Sequence, residues 1–270
     1  MTKVDCIVLG GTGLIGSQVC AHLAGLDLSV LPVTSKDYAT KRGARGNMLI
    51  NCNGNAARHL AQKDPMWDFE ASVTSVERSL FDFAYDRYLY LSTVDVYREV
   101  HDPSRNDETA EVRSVELHPY AFHKWLAERL VERFAPRWMV ARLGTVIGAG
   151  LKKNPVYDLL NGHPLRVSLE SELTLIDTVT IARCIETLIQ RGGDREIYNV
   201  AATGAVRLRE LQDRLGRPAS LEPGAEQIVH RYSINNNKMA SLTPMPTSWE
   251  ALEAFLERAG IRLAAKATRA

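Results

Sequence analysis

The chain has 270 residues, 45% hydrophobic and 24% charged, with a formal net charge of +1. That length carries one sizeable core or a domain with a smaller lobe, and the near-zero charge gives no bulk electrostatic reason for a nucleic-acid or membrane-surface partner. No apolar run approaches the roughly 20 residues of a membrane span, the first strand begins too close to Met1 to leave room for a secretory leader, and Cys6, Cys20, Cys52 and Cys184 lack CxxC spacing, so a cytoplasmic protein with buried thiols and no metal site is expected.

In chain order, VDCIVLG is a short continuous apolar run of the kind a strand shows when both faces are covered. Ile15, Val19 and Leu23 then recur every four residues, which is helical. LSVLPVTS reads as a second strand, NMLINCN as a third, RYLYLST as a fourth and RWMVARLG as a fifth, with helices expected over 69–85 and 120–134. Strands alternating with helices imply parallel βαβ units. The expected fold is α/β, a Rossmann-like doubly wound parallel sheet with a small C-terminal substrate lobe. Prolines and glycines thicken after Gly144 and again around 216–224. These shifts suggest a dinucleotide-binding domain over 1–150, to which the chain returns at about 174–203, and a lobe built from 151–173 and 204–270.

IVLGGTGLIGS places Gly10, Gly13 and Gly16 three residues apart between a strand and a helix. In that context Gly10 allows a tight turn, Gly13 lets the backbone approach a pyrophosphate, and Gly16 lets the helix pack closely. The helix N-terminus offers free N–H groups and partial positive charge to phosphate. Gly10, Gly11, Thr12, Gly13, Leu14, Ile15 and Gly16 are therefore cofactor-binding candidates.

YLSTVDVY closes the fourth strand and PYAFHK opens a later helix. Tyr120 and Lys124 are four apart, so they share one helix face. A phenol of ordinary pKa near ~10 is a poor base at neutral pH. An ammonium one turn away, with a positively charged oxidised nicotinamide, favours the phenolate. Thr93 or Ser92, at a strand's carboxyl end, can hydrogen-bond the same substrate oxygen.

GGTGLIG, LSTVDVY and PYAFHK together resemble the landmarks of the extended short-chain dehydrogenase/reductases, the family of nucleotide-sugar epimerases and dehydratases. DPMWDFEASV, ARLGTVIGAG, LTLIDTVTIARCI and IYNVA resemble further stretches of that family, so the likeness runs to about residue 203. It implies that Tyr120 is the general acid/base and Lys124 its partner and a ribose ligand. Thr93 would orient the substrate, with Ser92 as the neighbouring alternative. The implied partner is a small molecule, a nucleotide sugar, and the candidate assembly is a homodimer.

The departures from the family carry their own expectations. Too few residues lie between Ser35 and Met48 for a helix, strand and helix, so the sheet should be shortened at its β3 edge. Where the family has an Asp for the adenosine ribose, this chain reads VTSKDYATKR. Thr34, Ser35, Lys36 and Arg42 would accept a 2′-phosphate that an Asp would repel, so NADP is favoured over NAD. Ser72 stands where many relatives have Asn. Asn51, Asn53 and Asn55 intervene after the third strand; buried amides need partners, so they meet the cofactor or cap the next helix, and Asn53 and Gly54 count as cofactor candidates. Lys152, Lys153, Asn154, Arg166 and Arg207 could face an anionic substrate or be surface charges. His123 reads as structural, and no spacing selects among Asp95, Glu108 and Glu111 as an auxiliary acid or base.

Three functions fit: an NADP-linked epimerase or reductase of a nucleotide sugar, an NADPH-dependent reductase of another small carbonyl compound, or a non-catalytic dinucleotide sensor. Intact Thr93, Tyr120 and Lys124 argue against the third, because binding alone needs no phenol and ammonium on one helix face.

Overall fold

The computed structural model describes residues 2–55 and 58–264. Its centre is a six-stranded sheet in the order β2-β1-β3-β4-β5-β6. The strands are β1 (Val4–Leu9), β2 (Val30–Val33), β3 (Arg45–Asn51), β4 (Ala84–Thr93), β5 (Trp138–Leu143) and β6 (Glu196–Val200). Every neighbouring pair is parallel.

The apolar runs are continuous because both faces of this sheet are buried. Cys6, Val8, Met48, Ile50, Leu89 and Leu91 enter one core with Val19, Leu23 and Ile185. These last three come from helices α1 (Leu14–Ala24) and α4 (Thr178–Arg191). The intervening Ile7, Leu9, Leu49, Tyr88 and Tyr90 enter the opposite core with Val76, Leu80 and Val131. Their helices are α2 (Ser75–Asp82) and α3 (Pro119–Phe134). Period-two alternation thus serves two hydrophobic layers at once, and each buried aliphatic side chain contributes roughly 1.5–3 kcal/mol.

After β2 the chain makes only a one-turn helix, Tyr38–Lys41, before β3. β2 is therefore the sheet edge, and the expected shortening is real. The helix expected over 69–85 differs in detail. It begins earlier, at Pro65, where Asp64 accepts the Trp67 N–H at 3.0 Å. It then widens into a π turn over Glu70–Thr74 and stops at Asp82. Phe83 is extended and 6% exposed, and Tyr85 already pairs with Gly46 in β4. Sheet pairing thus ended the helix that local periodicity would have continued.

A third core joins Val96, Ile147, Leu165, Leu175, Leu211 and Phe255. Two short pairings frame it, Thr145–Ile147 with Leu175–Asp177 and Glu172–Leu173 with Val206–Arg207. Within the last part of the chain, Met239, Leu242 and Met245 leave this lobe core and pack against the main sheet.

Candidate active site

The carboxyl ends of the parallel strands converge on one cleft, where open α/β sheets bind ligands. At its floor Gly10 has φ of +72°, and a side chain on Gly16 would sit 2.2 Å from the Gly10 carbonyl oxygen. The helix therefore starts closer to the turn than any Cβ allows. A side chain at Gly13 would meet only that same oxygen, at 3.2 Å, and Thr12 and Gly13 are exposed. No side chain caps α1, so its first amides, those of Leu14, Ile15 and Gly16, face the cleft without intrahelical partners. Gly11 packs against Pro32 of the edge strand.

Asn53 stands beside this turn, its Oδ1 lying 2.9 Å from where a Gly10 Cβ would be. Asn51 is fully buried, donating to Tyr88 Oη at 2.7 Å and to Ser79 Oγ at 3.2 Å, while its Oδ1 accepts the Asn53 N–H. Asn51 is thus a brace under the turn and caps no helix.

At the other end of the cleft, Thr93 closes β4 and its hydroxyl accepts the Asp95 N–H at 3.2 Å. The same hydroxyl is among the groups that favour the Tyr120 phenolate. Ser92 Oγ is buried with no partner among the described residues, so Thr93 is the hydroxyl that meets the tyrosine. Pro119 opens α3 behind His118, the N-cap. Tyr120 and Lys124 follow on one face. Lys124 Nζ donates to the Leu91 carbonyl at 2.9 Å and lies 4.9 Å from the Tyr90 ring centroid. Gly54, with φ of +122°, leaves space for that ammonium: a side chain there would stand 3.2 Å from Nζ.

The electrostatics refine the expected roles. Burial pushes the Lys124 amine down to about 8, against the nearby Asp68 and Glu128 carboxylates. Burial, with Asp95 and Asp68, pushes the Tyr120 phenol up, while the Thr93 hydroxyl and Arg58 favour phenolate. The protein's own groups therefore hold Tyr120 protonated; burial beside two carboxylates prevails over the Thr93 and Arg58 influences that favour phenolate.

The sequence profile of the NAD dependent epimerase/dehydratase family matches residues 6–201. The chain belongs to this family. A sequence comparison with curated proteins finds no match. Among solved structures, MoeE5 in complex with UDP-glucose and NAD has a TM-score of 0.78 at 17% identity, over 95% of this chain and 98% of that one. UDP-glucose 4-epimerase of Thermus thermophilus, complexed with NAD, gives 0.77 at 18%, over 95% and 98%. dTDP-4-dehydrorhamnose reductase of Bacillus anthracis, with NADP, gives 0.75 at 16%, over 96% and 99%. These likenesses show a shared fold along nearly the whole length.

In this member of the family the loop after β2 is closed on itself. Asp37 Oδ1 accepts from the Thr34 N–H at 2.6 Å and from its hydroxyl at 2.9 Å, and Lys41 Nζ reaches Oδ2 at 2.5 Å. Lys41 and Thr34 hold the Asp37 carboxyl down at about 2. Arg42 pairs with Asp82 at 2.8 Å. Ser35 and Lys36 remain exposed. The expectation for Thr34, Ser35, Lys36 and Arg42 left out Asp37, whose position three residues after Thr34 lets its carboxylate reach back to the Thr34 N–H and hydroxyl.

Several substrate-side candidates have other work. Asn154 caps the helix Pro155–Asn161 and donates to the Val146 carbonyl. Arg166 pairs with Glu222 and Arg207 with Glu172. Glu108 accepts the Asn199 N–H. Lys152, Lys153 and Glu111 are exposed.

Sequence reasoning passed over a cluster assembled from distant segments. Asp95 accepts from Arg58 at 2.8 Å and from the Tyr232 hydroxyl at 2.7 Å. Burial alone would raise the Asp95 carboxyl, but Arg58 and Tyr232 outweigh it and hold it below the usual range. His118 stacks on Tyr120 at 6.1 Å with rings 7° apart. Burial and Arg58 take its imidazole down to about 4. A cavity of about 460 Å³, lined by Arg58, Asp95, Arg98, His118, His230 and Tyr232 among others, opens beside it. Residues 58, 95, 118 and 232 share no sequence spacing. Among the described residues no group of three or more His, Cys, Asp or Glu could hold a metal ion.

Proposed function

We propose that the chain moves hydride between NADP(H) and a carbonyl or carbinol carbon of a nucleotide-activated sugar, with Tyr120 exchanging the proton on that carbon's oxygen. The observation that carries this is Tyr120 one helical turn from the buried Lys124, whose Nζ donates to the Leu91 carbonyl at 2.9 Å, with the Thr93 hydroxyl at the end of β4 favouring the Tyr120 phenolate. The dinucleotide fits the residues present. Gly11 to Gly13 and the first amides of α1 would hold its pyrophosphate, and Lys124, given room by Gly54, would hold its ribose. When bound, the cofactor supplies or accepts the hydride. Tyr120, held as a phenol, donates the proton in the reducing direction, Thr93 orients the oxygen, and the 460 Å³ cavity beside His118 takes the remainder of the substrate.

The nucleotide-sugar assignment draws on the solved structures of MoeE5 in complex with UDP-glucose and with UDP-glucuronic acid. The NADP preference draws on the loop after β2, taken as the adenosine end. There the Asp37 carboxylate is spent on Thr34 and Lys41, which leaves Ser35, Lys36 and the outward face of Arg42 to meet a 2′-phosphate. A cytoplasmic location is supported by four free cysteines, and no helix among the described residues is long and apolar enough to cross a membrane. The net charge of +1 supports no nucleic-acid partner. A homodimer is supported by Phe81 and Phe134, paired at 5.2 Å and both exposed on α2 and α3; a monomeric sedimentation profile overturns it.

Thermal-shift screening with NADPH, NADH, UDP-glucose, UDP-glucuronic acid and dTDP-glucose tests the reading, because ligands that bind only the folded state raise its Tm. A stabilising nucleotide sugar should then be turned over by the wild type. Stabilisation by dinucleotide alone, with other small carbonyl compounds as substrates, would move the reading to a different reductase.

A further inference from the structure

Two buried groups near Lys124, Asp68 and His123, have no assigned role above. Asp68, in the helix Pro65–Phe69, and His123, the neighbour of Lys124 on α3, are 0% and 7% exposed. His123 Nδ1 lies 2.7 Å from one carboxylate oxygen of Asp68. Ser72 Oγ donates to the other at 3.4 Å. Phe69 stands edge-on to the imidazole at 5.4 Å and closes that side. The space that Gly54 leaves free borders Lys124 Nζ at 3.2 Å and Ser72 Oγ at 3.6 Å, so the hydroxyl that serves Asp68 also adjoins the ammonium.

A carboxylate this deeply buried is strongly unfavourable unless hydrogen-bonded and matched by positive charge. A buried ammonium has the same requirement. We infer that Asp68, held in place by His123 and Ser72, is a positioning residue whose negative charge keeps Lys124 an ammonium.

The other groups facing Lys124 do not do this work as directly. Glu128, one turn further along α3, is committed to Arg142 through two hydrogen bonds of 3.1 and 2.7 Å. Burial pushes the Cys52 thiol up, so it is neutral. Tyr90 and Tyr120 are likewise pushed up and uncharged. Asp68 is also the largest influence opposing the burial that brings Lys124 down to about 8. The π turn over Glu70–Thr74 supports the arrangement, because Ser72 sits within it, four residues after Asp68. Ser72 and His123 thereby acquire one shared purpose.

The inference rests on Lys124 binding the cofactor as an ammonium, so the readout is dinucleotide binding by the full chain. NADPH fluorescence is titrated across pH 6 to 10. Wild-type affinity should fall as pH rises through about 8, as the amine loses its proton. Asp68→Asn keeps the shape and removes the charge; its midpoint should move down by about one pH unit or more, as expected when a nearby opposite charge is lost. Asp68→Ser provides a second neutral replacement should the first not fold. His123→Gln keeps a donor beside an intact carboxylate and should keep the wild-type midpoint. A merely structural Asp68 would weaken binding equally at every pH, and an unmoved midpoint overturns the inference. So does a His123→Gln midpoint displaced as far as that of Asp68→Asn. A wild type that binds neither NADPH nor NADH removes the cofactor reading itself, and this inference with it.

Discussion

Two regions at the carboxyl ends of the strands handle charge in opposite ways. Around Tyr120, Lys124 and Asp68 are buried, Asp95 is largely so, and the two carboxylates meet partners from segments far away in sequence. After β2, the proposed adenosine end, Asp37 and Lys41 pair within one turn of chain, and Arg42 reaches Asp82 from an exposed position. A charge in a dry site shifts neighbouring proton equilibria strongly, whereas an exposed pair contributes about 0–1 kcal/mol. Substitutions in the first region should therefore act on chemistry and stability, and those in the second should only tune which dinucleotide is preferred.

Tyr120→Phe should give the largest effect. It removes the proton donor and keeps the ring, so NADPH affinity should survive while turnover falls by about 10²-fold or more. Steady-state kinetics with the substrate found by screening checks this, and near-normal turnover would falsify the assigned role. Lys124→Ala should weaken both cofactor binding and turnover, and Thr93→Ala should mainly lower turnover.

Arg58→Ala comes next. It leaves the largely buried Asp95 with only the Tyr232 hydroxyl, which should cost about 2 kcal/mol, a figure reduced from the fully buried case because the guanidinium is partly exposed. Urea denaturation measures it. Because Asp95 is held below its ordinary value, the stability it contributes is fully present above pH ~4 and disappears as pH falls through the lowered native value. Arg58→Ala should flatten that acid limb, and an unchanged acid profile would show that the clasp carries no such linkage.

The adenosine end should respond least. Lys36→Ala and Arg42→Ala should each weaken NADPH by a few-fold, about 1 kcal/mol, and leave NADH unchanged. Asp37→Asn frees Lys41 and should shift preference further toward NADPH by a similar factor. Tighter NADH than NADPH binding in the wild type, or no response in either cation variant, would reverse the expected preference and erase the contrast between the two regions.

Much of the scaffold was legible because it depends on short-range rules. Strand runs, the glycine spacing and the four-residue interval from Tyr120 to Lys124 are consequences of backbone geometry, and the structure places them as periodicity demands. The short link from Ser35 to Met48 showed that an edge strand had no room. The stop at Asp82 was not legible, since sheet pairing at Tyr85 overrode helical periodicity. Nor was the self-closed turn at Asp37 weighed, although its signal lies within four residues.

What the sequence determined by itself is thus the α/β frame, the glycine turn between β1 and α1, and the placing of Tyr120 and Lys124 on one helix face, because each follows from how neighbouring residues constrain one chain. Only the tertiary structure decided that His123 joins Asp68 beside Lys124, that Arg58 and Tyr232 clasp Asp95, and that Thr93 rather than Ser92 meets Tyr120. His123 and Asp68 are 55 residues apart, and Tyr232 and Asp95 are 137 apart. No local period links such positions. They meet because the sheet brings its strand ends together, and burial there favours polar groups that find partners.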